Sequence, residues 1–276
     1  MSSPLDERAA GARRFVDRVS IVTGAGQGIG AATARRLGAE GAIVVIADLS
    51  EAGAQRTRDM LENHGVQTMV FLGDLSEWDT CHRLMDETLE RFGRIDVLVN
   101  NVGGPYRSQY MWEFTEEQMY QDMRRNFWPT MFCMHAALTH MIAVESGAIV
   151  NVASSAVRGI LRAPYAAAKG GVIALTTSVG LEVAEKGVRI NCVAPHTTAV
   201  TDRLVPRNTE PLNLTPEQEA LAQARLARFM GEGPYAGVDF TPMRRRGGPE
   251  EQASAIAFLA SDDASFMTGQ VLWVGT

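Results

Sequence analysis

The sequence predicts an α/β fold, a single doubly wound parallel sheet with a loop inserted near its C-terminal end. Three observations predict it. Short β-branched runs alternate with longer stretches of helical periodicity along most of the chain, the pattern of a parallel sheet with helices on both faces. The runs end in glycine, asparagine, aspartate or serine, so ligand-facing groups collect at the carboxyl edge of that sheet. The 276 residues are 46% hydrophobic and 21% charged, which suits one soluble domain with a single large core.

The elements follow in order. Residues 1–16 are polar, lack the apolar stretch of a signal peptide and read as a flexible tail, leaving one domain over 17–276. Val19-Ser-Ile-Val22 is the first strand and runs straight into Thr23-Gly-Ala-Gly-Gln-Gly-Ile-Gly30, after which a helical pattern continues to Gly41. A strand, a glycine-rich turn and a helix in that order make a Rossmann-type unit. The candidate cofactor residues here are Gly24, Gly26, Gln27, Gly28, Ile29 and Gly30. The glycines allow the tight turn, let the backbone approach a pyrophosphate and aim the helix N-terminus at its charge. An ordinary turn is the plain alternative.

The second strand, 42–47, ends in Asp48, about twenty residues beyond the glycines. A carboxylate there accepts hydrogen bonds from the adenosine ribose and repels the extra phosphate of NADP, so the expected cofactor is NAD. Asp48 would also suit the cap of the next helix. That helix covers 51–64, and a strand over 67–72 ends in Gly73-Asp74-Leu75, where Asp74 and Leu75 would lie beside the adenine. A helix over 78–92 and a strand over 95–99 lead to Asn100-Asn-Val-Gly-Gly104, which puts Asn101, Val102 and Gly103 at a ligand-facing turn.

Residues 116–141 read as one long helix, with Asn126 near its middle and Pro129 expected to kink it. Asparagine is a mediocre interior helix residue, so Asn126 calls for a polar contact or exposure. The fifth strand, 148–152, ends at Ser154-Ser155, and a loop carrying Arg158 and Arg162 precedes Tyr165-Ala-Ala-Ala-Lys169 on a helix reaching about Glu185. Residues four apart share a helix face. A phenol has a reference pKa of about 10; a fixed cation beside it lowers that value and makes tyrosine a plausible proton acceptor from an alcohol. The sixth strand, 188–193, ends at Pro195-His196. Residues 197–248 are rich in proline, glycine, arginine and charge, with one helix from Pro216 to about Met230, and read as an inserted substrate loop. A helix over 249–260 and a strand over 270–274 close the domain.

Composition excludes several functions. A net charge of −6 and a pI near 5.5 argue against nucleic-acid binding, and no apolar run approaches a membrane span. The histidines are scattered without metal-ligand spacing, so no metal is expected. Cys81, Cys133 and Cys192 fit buried thiols in a reducing cytoplasm.

Thr23-Gly-x-Gly-x-Gly-Ile-Gly30, Asn100-Asn-Val-Gly103, Asn126, Ser154, Tyr165 and Lys169 together resemble the short-chain dehydrogenases/reductases, over nearly the whole chain from Asp17 onward. The resemblance implies a catalytic tetrad. Tyr165 would be the acid/base, Ser154 would hydrogen-bond the substrate oxygen, Lys169 would bind the nicotinamide ribose and depress the tyrosine pKa, and Asn126 would hold a water in the proton relay. Ser154 is preferred to Ser155 because it stands three residues after Asn151. Pro195 would bind the cofactor, and either Thr198 or Thr201 would touch the nicotinamide carboxamide. The chain departs from the family at His196, where glycine is usual, and at its end, Val274-Gly-Thr276, which puts a subunit contact in doubt. The resemblance also implies a homo-oligomer, a tetramer or a dimer, associating through helices near Asn126 and Tyr165 with Ala166, Ala167, Gly170 and Gly171 allowing close packing.

Within the family, Asn101-Val-Gly-Gly104, Cys133-Met-His-Ala-Ala-Leu138, Arg158-Gly159, Pro164-Tyr-x-Ala-Ala-Lys-Gly-Gly171 and Pro206-Arg-Asn208 are similar to the cis-dihydrodiol carboxylate dehydrogenases of aromatic degradation, the benzoate-diol type. That likeness implies NAD-dependent oxidation of a 1,2-dihydroxycyclohexa-3,5-diene-1-carboxylate type diol to a catechol. The alternatives are a dihydroxy-dihydro-cumate type diol, another alcohol dehydrogenase or ketoreductase activity, and a non-enzymatic NAD sensor, which would be expected to lose the tetrad. A carboxylate substrate calls for arginine. Arg207 is the first candidate, with Arg158 and Arg162 as rivals and solvated surface charge as the plain alternative for each.

Overall fold

The computed structural model describes residues 13–201 and 243–275, and between them 204, 215–217, 220–221 and 224. Seven strands form one parallel sheet in the order β3-β2-β1-β4-β5-β6-β7. They are β1 (Val19–Thr23), β2 (Ile43–Asp48), β3 (Thr68–Leu72), β4 (Val97–Asn100), β5 (Gly147–Val152), β6 (Val188–Pro195) and β7 (Val271–Val274). The intervening helices are α1 (Gly28–Ala39), α2 (Glu51–Glu62), α3 (Trp78–Phe92), α4 (Glu116–Asn126), α5 (Trp128–Ala143), α6 (Ala163–Glu182) and α7 (Pro249–Ala260).

Strand side chains alternate between two buried layers. Ile21, Val45, Leu98, Ile149 and Ile190 pack with Leu84 and Met85 of α3 and with Cys133 and Met141 of α5. Val22, Val44, Val99, Val150 and Val193 pack on the other face with Leu37 of α1, Leu61 of α2 and Ile256 of α7. Each large aliphatic side chain taken fully out of water contributes about 1.5–3 kcal/mol, so both layers hold the sheet flat against its helices. Strand order reverses between β1 and β4, and a cleft opens above their carboxyl ends, the usual ligand position on such sheets.

Two expectations are corrected. The long helix over 116–141 is two helices, broken at Phe127 (φ −120°, ψ −55°). Pro129 lacks an N–H, so the Arg125 carbonyl has no donor four residues on and the helix restarts instead of bending. Asn126 therefore terminates α4, where its side chain is free to bond across to another element. The expected tail reached residue 16, yet Phe15 is fully buried in the layer of α1 and α7, and Arg14 pairs with the buried Glu40 at 2.6 Å and with Asp263 at 2.9 Å. A buried phenyl ring and an ion pair tie the chain down before β1.

Cys81, Cys133 and Cys192 are buried free thiols. Of the helix expected over 216–230, Pro216, Glu217, Ala220, Leu221 and Ala224 are helical, and the remainder lies outside the described residues. The base of the insertion is pinned: Ala199 donates to the Gly247 carbonyl (2.9 Å) and Gly247 to the Thr197 carbonyl (3.1 Å). Among the described residues no helix is long and apolar enough to cross a membrane, and no cluster of acidic, histidine and cysteine side chains has metal-site geometry.

Candidate active site

The glycine turn is built where only glycine fits. Gly24 and Gly28 have φ of +62° and +59°, the left-handed region that costs other residues strain. A Cβ on Gly30 would stand 2.1 Å from the Gly24 carbonyl oxygen, and one on Gly26 2.9 Å from Asp48 Oδ2. Asn101 ties the turn to the end of β4. Asn101 Nδ2 donates to the Thr23 and Gly24 carbonyls (3.0 and 3.2 Å), and the Asn101 amide donates to Thr23 Oγ1 (2.9 Å). Helix α1 begins with no side-chain cap and no acid in its first turn, so its positive end is left for an anion.

Asp48 lies against the turn. Its Oδ2 accepts from the Gly26 amide (2.7 Å) and its Oδ1 from the Ser50 amide (2.8 Å). Ser50, whose Oγ accepts from Gly53, is the actual cap of α2. Each Asp48 oxygen keeps lone pairs for a further donor. Asp74 accepts from Ser76 and pairs with Arg124 at 3.3 Å. These residues fit the adenosine and pyrophosphate of a dinucleotide: open glycines, unfilled helix N–H groups and a fixed carboxylate at the ribose position.

Across the cleft, β5 ends and Ser154 follows in extended conformation, with its Oγ accepting from the Ala156 amide at 3.1 Å. Tyr165 sits in the first turn of α6, and Lys169 one turn later is 2% exposed. Lys169 Nζ donates to the Val152 carbonyl (2.8 Å) and the Val102 carbonyl (3.4 Å). Burial lowers its pKa from 10.5 to about 8. Asn126, fully buried, accepts from the Gly104 amide at Oδ1 (2.7 Å) and donates from Nδ2 to the Asp122 carbonyl (3.0 Å). A Cβ on Gly103 would lie 2.7 Å from Asn126 Oδ1 and 3.0 Å from Lys169 Nζ, so these two groups converge on that glycine.

The cofactor residues expected from the sequence line one cavity of about 2030 Å³, apart from Gly30, which packs behind the turn, and Thr201, which lies outside it and leaves Thr198 as the threonine of the cavity. That exceeds the roughly 300–1,000 Å³ of a typical small-molecule site and leaves room for a dinucleotide and a ring. Ser154, Tyr165 and Lys169 line it too, while Asn126 stands behind Gly104. The three arginines separate. Arg162 lines the cavity, Arg158 is exposed and lies over the Trp273 ring at 5.1 Å, and Arg207 lies outside the described residues.

Sequence reasoning missed Tyr106, Arg125 and Asp122 and gave His196 no role. Arg125 lies 4.0 Å from the Tyr106 ring centroid, and both line the cavity. Asp122 is 2% exposed, and burial pushes its carboxyl up to about 6 against the opposing pull of Arg107 and Arg125. Its place four residues before Asn126 on one helix face was the available signal. Tyr106 sits on an irregular segment with no periodicity to reveal it.

The chain matches the family model described as short chain dehydrogenase over residues 18–211, and that described as Enoyl-(Acyl carrier protein) reductase over residues 232–276. It is 41% identical over 261 residues to a 1,6-dihydroxycyclohexa-2,4-diene-1-carboxylate dehydrogenase of Pseudomonas putida, covering 94% of this chain and 92% of that one. A protein of the same name from Acinetobacter baylyi is 39% identical, covering 95% and 97%. Among solved structures it is similar to an NAD+-bound xylitol dehydrogenase, with a TM-score of 0.81, 27% identity and coverage of 95% and 100%.

Proposed function

The chain belongs to the short chain dehydrogenase family, and from that premise we propose that this oxidoreductase converts a cis-dihydrodiol carboxylate to a catechol, using NAD. The observation that carries the substrate class is the near full-length likeness to the two dihydrodiol carboxylate dehydrogenases. Asp48 carries the choice of NAD, since a carboxylate held by two backbone amides attracts ribose hydroxyls and repels a phosphate.

Each residue then has a task. Tyr165 takes the proton of the reacting hydroxyl, and Ser154 Oγ hydrogen-bonds the same oxygen. Lys169, anchored through the Val152 carbonyl, offers a positive charge that favours the phenolate and a donor for the nicotinamide ribose. Asn126 fixes the turn at Gly103 and Gly104 beside Lys169 and is the next group along the proton path. NAD seated on the glycine turn supplies the hydride acceptor. The oxidised carbon becomes a ketone β to the carboxylate. The bond to that carboxylate breaks with release of carbon dioxide, its electron pair enters the ring as the enolate of the catechol, and the enolate oxygen takes up a proton.

The test is reduction of NAD and of NADP by a panel of cis-dihydrodiols with and without a carboxylate on a hydroxyl-bearing carbon. The carboxylated diol with NAD is expected to give the highest kcat/KM, and Asp48→Ala to narrow the NAD preference by about tenfold or more, the loss of one charged hydrogen bond. Equal use of NADP by the wild type would remove Asp48 from this role, and no turnover of any cis-diol would remove the substrate class.

A further inference from the structure

Nine buried side-chain nitrogen and oxygen atoms have no hydrogen-bond partner among the described residues. Only two belong to residues that line the cavity: Arg162 Nε and His196 Nδ1. Such groups are costly to leave unpaired, the more so for a cation. The two residues come from different elements, Arg162 from the turn before α6 and His196 from the segment after β6, and both line the same cavity as Ser154 and Tyr165.

The backbone around Arg162 is constrained. Leu161, 7% exposed, holds φ of +60°, a left-handed conformation that a branched apolar residue rarely adopts. The Gln109 amide secures it by donating to the Leu161 carbonyl at 2.9 Å. Gly159 leaves room for the arginine stem, since a Cβ there would stand 3.3 Å from Arg162 Cδ. The strain at Leu161, four residues before Tyr165, is held in place immediately ahead of Arg162, which lines the same cavity as Tyr165. His196 is fixed through its amide, which donates to the Val274 carbonyl at 2.9 Å. Burial and the nearby Arg158 lower its pKa and so favour the neutral imidazole, which can both donate and accept.

We propose that Arg162 and His196 read the carbon next to the reacting carbinol, Arg162 binding its carboxylate and His196 its hydroxyl. The inference rests on the function proposed above and deepens it. A hydroxyl-bearing carboxylate carbon offers one anion and one neutral hydroxyl, the two partners these two nitrogens lack. A guanidinium grips the carboxylate through Nε and one terminal nitrogen, which a lysine cannot reproduce. This reading moves the carboxylate anchor from Arg207 to Arg162.

The experiment compares wild type, Arg162→Gln, Arg162→Lys, His196→Gly and Arg207→Gln on two substrates with NAD: 1,6-dihydroxycyclohexa-2,4-diene-1-carboxylate and the same cis-diol without the carboxylate. The ratio of their kcat/KM values is expected to fall about ten- to a hundredfold in Arg162→Gln, the range of a charged hydrogen bond, with partial recovery in Arg162→Lys. His196→Gly should leave that ratio near the wild-type value and lower kcat/KM on both diols about three- to tenfold, because both carry the hydroxyl. An unchanged ratio in Arg162→Gln, or a fall confined to Arg207→Gln, overturns the proposal. A second measurement separates it from the catalytic reading: binding of salicylate and of catechol to the NADH-loaded protein. Salicylate is a flat hydroxy-carboxylate that needs no turnover. If the wild type oxidises neither diol, yet Arg162→Gln weakens salicylate about tenfold more than catechol, the hydroxy-carboxylate site stands and the function falls. If salicylate binds wild type and Arg162→Gln equally, the site falls whatever the enzyme oxidises.

Discussion

Around the glycine turn, contacts run from backbone to backbone or to short side chains whose places the backbone dictates. Across the cleft, between the end of β4, the turn before α6 and the segment after β6, they run among long side chains on irregular chain. On the first side Asp48 is held by two amides and Asn101 by two carbonyls, and Gly26 and Gly30 have no room for a methyl group. On the second, Arg125 leans on Tyr106, Asp122 is buried near two arginines, and Arg162 and His196 each keep an unpaired buried nitrogen. The difference teaches where variation can enter. On the function proposed here, the cofactor would be gripped by features fixed by the backbone, while the group that differs between substrates would meet side chains that can be exchanged without moving the sheet.

The largest expected effect tests whether the two sides are separable. Tyr165→Phe removes one oxygen between them. Turnover should drop about a thousandfold, within the range for a general acid/base, while NADH binding measured by fluorescence stays within about twofold. A parallel loss of NADH affinity would mean that the chemistry and the cofactor grip are one structure, and the contrast would collapse.

Next in size is Gly30→Ala. The added carbon would stand 2.1 Å from the Gly24 carbonyl oxygen and 2.6 Å from Asn101 Nδ2. Backbone cannot yield as a flexible side chain does, so a loss of about 3 kcal/mol, the upper end for overpacking, is expected in urea unfolding, together with weakened NAD binding. Gly170→Ala is its control, because a Cβ there meets nothing within 4 Å. Similar losses in both variants would show that the turn is no tighter than an ordinary helix surface.

The same contrast explains what could be read in the sequence. Gly24, Gly26 and Gly30 were legible because steric exclusion leaves one residue type at each position, and Asp48 because a strand end fixes its distance from the turn. Tyr165 and Lys169 were legible because a helix puts residues four apart on one face. The strands were legible from their β-branched runs, while their ends shifted by a residue or two because ladder hydrogen bonds continue past the apolar stretch, as β6 does to Pro195. The break after Asn126 was half legible: Pro129 announced a disturbance, but whether a helix bends or restarts depends on what packs against it. Here the Phe127 ring lies against Gly171, where a Cβ would meet it at 2.9 Å. Gly171, expected to serve packing between subunits, is thus already used within one chain. Arg162 and His196 were poorly legible, since a missing partner is a property of three-dimensional surroundings and leaves no spacing behind.

The smallest expected effect comes from Asp122, on the side-chain half. Its carboxyl lies at about 6 in the folded protein against 3.8 for the free group. Between these values the folded state holds more protons than the unfolded one, so raising the pH through this window destabilises the fold. The burden is absent below about pH 3.8 and complete above about pH 6. Asp122→Asn removes the titration while its side-chain oxygen can still accept from Asn126 Nδ2, now at 3.3 Å from Asp122 Oδ1. The variant should therefore gain stability over wild type from pH 4 to pH 6 and hold a constant advantage of about 1–2 kcal/mol above that. Arg107 and Arg125 limit the gain, because each loses an attraction to the carboxylate. Unfolding by urea across this range gives the difference directly. A gap that stays flat with pH would mean that the two arginines already compensate the buried charge, and that the side-chain half is as free of stored cost as the glycine turn.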